Sequence, residues 1–125
     1  MISFGGGGNA MVAKIIRSDS AGGLTVQGFI HYRGEWRRYA SAVYRGGDAA
    51  DFTSTGRDVI SCSGSRYGGC SLSESFIIQL PSQAIEERAV DGKIDIQIRG
   101  DAGADNPIIT IPLSHVIAVQ EASAR

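Results

Sequence analysis

Between Leu24 and Arg33 the chain alternates along its whole length. Leu24, Val26, Gly28, Ile30 and Tyr32 fall on one side, and Thr25, Gln27, Phe29, His31 and Arg33 on the other. Strand side chains switch faces at every residue, whereas a helix face recurs every three to four. A period of two over this length therefore predicts a strand with one buried face. Lys93–Arg99 repeats the pattern, with Ile94, Ile96 and Ile98 inward and Asp95, Gln97 and Arg99 outward. Across Ser71–Leu80, the residues Leu72, Glu74, Phe76, Ile78 and Leu80 share one parity, which places a carboxylate among four large apolar side chains.

The remaining segments extend the same reading. Met11–Ile16 is a short apolar run closed by a turn at Gly22-Gly23, and Gly34-Glu35 reads as a hairpin turn leading into a strand over Trp36–Arg45. Ala50–Thr55 reads as a brief edge strand, and Arg57–Cys62 as a strand pairing with Ser71–Leu80. Pro81 breaks that strand. Ser82 is then positioned to cap a helix over Gln83–Val90, with Glu86 and Glu87 near its positive end. Ile108–Ile111 reads as a strand, while Leu113–Glu121 fits a helix or a strand, its β-branched Val116, Ile117 and Val119 favouring neither. The expectation is a mainly β fold, an antiparallel β-sandwich or open barrel of six to seven strands with one or two short helices.

A chain of 125 residues is one domain's length and can bury a core of its own. Residues 1–10, with Gly5-Gly6-Gly7-Gly8, read as a flexible leader or an expression remnant, and residues 11–125 as a single β-rich domain. The net charge of -1 argues against a general polyanion binder, so no nucleic-acid partner is expected. Tyr32–Tyr39 interleaves aromatic and basic residues, but the positive run is short, and packing is the simpler role for Trp36. No apolar run is long enough to predict a transmembrane segment. Met1–Phe4 carries no signal-peptide pattern, so the chain reads as cytoplasmic or as lacking its targeting segment.

The only two cysteines bracket Cys62-Ser-Gly-Ser-Arg-Tyr-Gly-Gly-Cys70. With β-like stretches on both sides, they read as a disulfide stapling a hairpin tip and thus as a sign of an oxidising compartment. Two unrelated thiols would be the alternative in a reducing one. The spacing is not the CxxC of a redox motif, and the two histidines, His31 and His115, lie too far apart in sequence to suggest zinc, so no metal and no cofactor are expected. Arg66 and Tyr67 stand on this glycine-rich tip as anchors of a candidate binding loop, since arginine and tyrosine are frequent anchors of protein interfaces.

Glu74 needs either a solvent-exposed strand end or a buried partner, and Arg57 and Arg66 are the cations nearest in the proposed hairpin. A structural ion pair between Glu74 and Arg57 is one expectation. A hydrolase using Glu74 or Asp58 is the enzymatic alternative, and it would need a second acid across a cleft. The aspartates of Gly100–Pro107 lack the ligand spacing of a calcium loop and read as a solvated turn.

Arg57–Cys62, Tyr67-Gly68-Gly69-Cys70, Glu74 and Leu80-Pro81 resemble small proteobacterial envelope proteins, often lipoproteins, of uncharacterised function. That resemblance implies export, the disulfide and a β-rich fold. Ser63-Gly64-Ser65-Arg66-Tyr67 is also similar to the SGxxY inhibitory loop of bacterial periplasmic lysozyme inhibitors. This second likeness implies that Ser63, Arg66 and Tyr67 enter an acidic carbohydrate cleft. Together these readings point to a non-enzymatic domain of the periplasm or cell envelope that binds a protein or an envelope component through loop 62–70, in an oligomeric state left open.

Overall fold

The computed structural model describes residues 3–5, 10–18, 22–62, 70–101 and 106–123. In chain order the elements are β1 (Ser3–Gly5), β2 (Ala10–Ser18), β3 (Leu24–Arg33), β4 (Ser41–Tyr44) and β5 (Ala49–Cys62). Then follow β6 (Cys70–Leu80), α1 (Ser82–Arg88), β7 (Lys93–Arg99), β8 (Ile108–Pro112) and α2 (Leu113–Ser123). The strands form one sheet in the order β1-β8-β7-β4-β5-β6-β3-β2, with each neighbouring pair antiparallel. The sheet curls into a half-barrel accompanied by two helices. Its outermost strands are close in sequence. The chain between Gly5 and Ala10 can span at most about 18 Å, which holds the two ends of the sheet near each other.

The concave face collects the alternating apolar residues. Val26, Ile30, Ile78, Ile94, Ile96, Ile98, Ile109 and Ile111 are fully buried, and α2 adds Val116. At Gly28 an added Cβ would lie 2.3 Å from Phe76 Cζ, so a glycine is needed for the ring to cross β3. Phe76 then stacks on Phe52 of β5 at 5.4 Å between centroids.

Several sequence expectations require correction. Ser3–Gly5, within the expected leader, pairs with β8, and β2 starts at Ala10. Gly34-Glu35 does not close a hairpin, because β3 pairs with β2 and β6 while β4 lies between β5 and β7. Only Ser41–Tyr44 of the expected Trp36–Arg45 strand is regular. Arg38 adopts a φ of 50°, a left-handed conformation that breaks extended pairing. The segment still runs beside the end of β7, through Ala40 N–H to Arg99 O at 3.0 Å and Asp101 N–H to Arg37 O at 2.7 Å. That approach demands Gly100, where a Cβ would meet Arg37 O at 2.3 Å.

The two expected strands Ala50–Thr55 and Arg57–Cys62 are one strand. Helix α1 begins a residue early and stops at Arg88, with Pro81 in the cap position and no side-chain cap bond, so Ser82 does not serve as a cap. Glu86 and Glu87 consequently lie beyond its first turn, away from the positive end. Val90 is instead drawn into a bridge with Lys93. The open choice at Leu113–Glu121 resolves as helix.

Candidate functional site

The pairing of β5 with β6 is the geometric origin of the site. Phe52 lies opposite Ile78 and Ser54 opposite Phe76, after which one extra residue is absorbed and Arg57 faces Glu74. A second irregularity between Val59 and Ser61 brings Cys62 opposite Cys70. Phe52 and Arg57 are an odd number of residues apart, so in a regular strand they would point to opposite faces. The bulge turns both inward. The second bulge does the same for Val59 and Cys62, and the disulfide Cys62–Cys70 closes that end of the pair.

Glu74 is 2% exposed on the concave face. Leaving a buried carboxylate unpaired would be costly, and three donors meet it here. Tyr32 Oη donates to Oε2; Tyr39 N–H and Arg57 Nε each reach Oε1 at 2.9 Å. Tyr32 comes from β3 by the diagonal of the β3–β6 register, in which Ile30 faces Glu74 and Tyr32 faces Leu72. Its own oxygen accepts the Arg37 amide at 2.8 Å. The Arg37 guanidinium covers the Tyr32 ring at 4.2 Å and donates to Tyr39 Oη at 3.2 Å, while the two tyrosine rings meet edge to face at 6.2 Å. Burial pushes the Tyr32 phenol up to about 12; the Arg37 amide opposes the rise and Glu74 adds to it.

Beside this network, Trp36, Arg38, Val59, Cys70, Leu72 and Asp101 line a groove of about 420 Å³. Leu72 is buried at its floor and Val59 is 53% exposed at its edge. A wider depression of about 590 Å³ lies on the opposite, convex face of β4, β7 and β8. There Asp95 pairs with Arg45 at 3.8 Å and accepts from Thr110 at 2.8 Å.

The structure brings Glu74 and Arg57 together and bonds Cys62 to Cys70. It separates Asp58 from Glu74, since Asp58 faces Ser73 and adjoining residues of a strand point to opposite faces. Asp58 is therefore not the second acid that a hydrolase using Glu74 would need. Ser63, Arg66 and Tyr67 lie outside the described residues, as do residues 102–105 of the expected turn. His31 is exposed and His115 half-buried on α2. Among the described residues no cluster of three or more His, Cys, Asp or Glu side chains could hold a metal, and no helix is long and apolar enough to cross a membrane.

Tyr32 and Tyr39 are the participants that the sequence reading missed. Tyr32 looks like a core residue by parity, and only the β3–β6 register reveals that its hydroxyl reaches Glu74. Comparisons of the chain with protein-family models, curated proteins and solved structures found no match.

Proposed function

We propose that this small disulfide-stabilised β domain is a non-enzymatic binding module of the periplasm or cell envelope, engaging a protein or an envelope component through loop 62–70. The observation that carries the reading is the place of the disulfide. It joins β5 and β6, the two longest strands, in register at their shared end. Closing so short a loop contributes roughly 2–3 kcal/mol and lowers the entropy lost when the tip docks. Exported location fits the bond, because disulfides persist in oxidising compartments.

Lysozyme is the first partner to try, on the SGxxY spacing and on the match between Arg66 and an acidic cleft. Inhibition assays with several lysozyme classes should show micromolar inhibition by the wild type. Arg66→Ala and Tyr67→Ala should weaken it by about tenfold or more with unfolding unchanged. No inhibition by the wild type removes lysozyme as the partner. Retention of binding to envelope extracts after replacement of residues 63–69 by a glycine-serine loop removes the loop itself.

A further inference from the structure

A second surface stands apart from the loop. β5 pairs with β4 only through Ala49 and Ala50. From Asp51 to Cys62 its sole strand partner among the described residues is β6. The other side of that stretch presents backbone amides and carbonyls with no backbone partner among the described residues. Free edges of this kind accept an added strand, and proteins usually blunt them. Here Val59 and Ile60 are each 53% exposed, which is unusual apolar exposure for an unprotected edge.

Two features of the concave side give this edge chemical selectivity. Arg57 Nε is anchored on Glu74, whose other donors hold it in place, and the Arg57 side chain is 38% exposed. Its two terminal nitrogens have no partner among the described residues, which leaves two donors of an anchored, partly exposed guanidinium available to an acidic group. Val59 is two residues further along, on the same face and in the same register, beside the groove of Trp36 and Leu72.

We propose that the edge of β5 binds an extended segment of another protein as an added strand, with an acidic side chain on Arg57 and a bulky apolar one in the Trp36–Val59–Leu72 groove. The regular register between Arg57 and Val59 sets the spacing. In an antiparallel segment the apolar residue precedes the acidic one with a single residue between them. A second copy of this chain fits poorly. Two-fold antiparallel pairing that keeps the concave faces together must centre on a residue. Registers centred on Arg57 or Asp58 set like charges opposite each other. The two acids of β5, Asp51 and Asp58, face Gln79 and Ser73 on the side opposite to Arg57, so the β5 of a second copy offers Arg57 no carboxylate.

The test uses a fluorescent octapeptide, Thr-Val-Thr-Phe-Thr-Glu-Thr-Val, titrated with the intact disulfide-bonded protein. Saturable binding is expected, weakened about tenfold or more when Glu in the peptide becomes Lys, and lost when the peptide amides facing β5 are methylated. Arg57→Ala should weaken it similarly. Val59→Glu, at an exposed position, should do so without disturbing the Glu74 network, with circular dichroism checking the fold of both. Replacing residues 63–69 should leave this binding intact, which separates it from the loop. No binding at millimolar protein, or binding indifferent to the peptide's charge and to amide methylation, overturns the proposal. A concentration-dependent dimer abolished by Val59→Glu also overturns it, because the edge would then belong to a second copy.

Discussion

The β7–β8 pair and the β5–β6 pair use the same antiparallel ladder for different ends. β7 and β8 pair without irregularity, setting Ile94 against Ile111 and Ile96 against Ile109, all fully buried. β5 and β6 shift register twice, bury a carboxylate, and leave β5 exposed from Thr53 to Cys62. Regular alternation fills a core with interchangeable apolar side chains. A bulge instead re-aims particular residues, here Arg57 at Glu74 and Cys62 at Cys70, at the cost of some ladder bonds. One pair is constrained everywhere along its length, and the other chiefly at a few contacts.

The sharpest way to break this contrast is to delete one residue from each pair. Without Gln97, Ile98 and Arg99 exchange faces, exposing an isoleucine and burying a guanidinium. The expected loss is at least about 4 kcal/mol, a large share of a typical domain's stability and enough to abolish cooperative unfolding in urea. Without Ile60, the residue absorbed between Val59 and Ser61, the ladder closes up and Cys62 still faces Cys70. That variant should lose no more than about 1 kcal/mol. Its intact mass should still be lower than that of its reduced form by a pair of hydrogens. Equal damage from the two deletions would erase the distinction.

The polar contacts come next in size. Glu74→Gln keeps the shape but removes the charge and one acceptor site among Tyr32, Tyr39 and Arg57. About 2–3 kcal/mol should be lost in urea unfolding. Arg57→Ala should cost less, about 1–2 kcal/mol, because its side chain is 38% exposed and solvent screens the pair. The reverse order would mean that Arg57 rather than Glu74 organises the site.

These two pairs also mark where the sequence was readable. Ile94, Ile96 and Ile98 announce their own buried face, because nothing interrupts the period of two. The same period placed Glu74 among apolar neighbours and so demanded a partner for it. What it could not place was the partner's register. Bulges leave little trace in composition, and Ala50–Thr55 and Arg57–Cys62 accordingly read as separate strands. Tyr32 and Tyr39 escaped notice because their contacts to Glu74 join β3, β6 and the turn after β3, segments far apart in sequence. Gly34-Glu35 misled for a related reason: local turn chemistry was strong, but β4 found β5 and β7 as partners instead of β3.

The smallest effect tests whether the polar end is as dry as the apolar one. In the unfolded chain the Tyr32 phenol titrates near its ordinary 10; in the folded protein it is pushed up to about 12, chiefly by burial. The folded state therefore holds this proton longer than the unfolded state does. Its contribution is fully present below about pH 10 and falls away as pH rises towards 12, because the unfolded chain gains by ionising first. Urea midpoints should decline across that window, and phenolate absorbance should show a late-titrating group. Tyr44, also raised by burial against the opposing Arg88, supplies part of the same decline. Tyr32→Phe should cost about 1 kcal/mol at neutral pH by leaving Glu74 and the Arg37 amide each one partner short. It should also flatten the decline between pH 10 and 12 without abolishing it. If Tyr32→Phe leaves the alkaline slope unchanged, the Tyr32 hydroxyl is in ready contact with water, and the end of the β5–β6 pair is an open mouth rather than a sealed polar core.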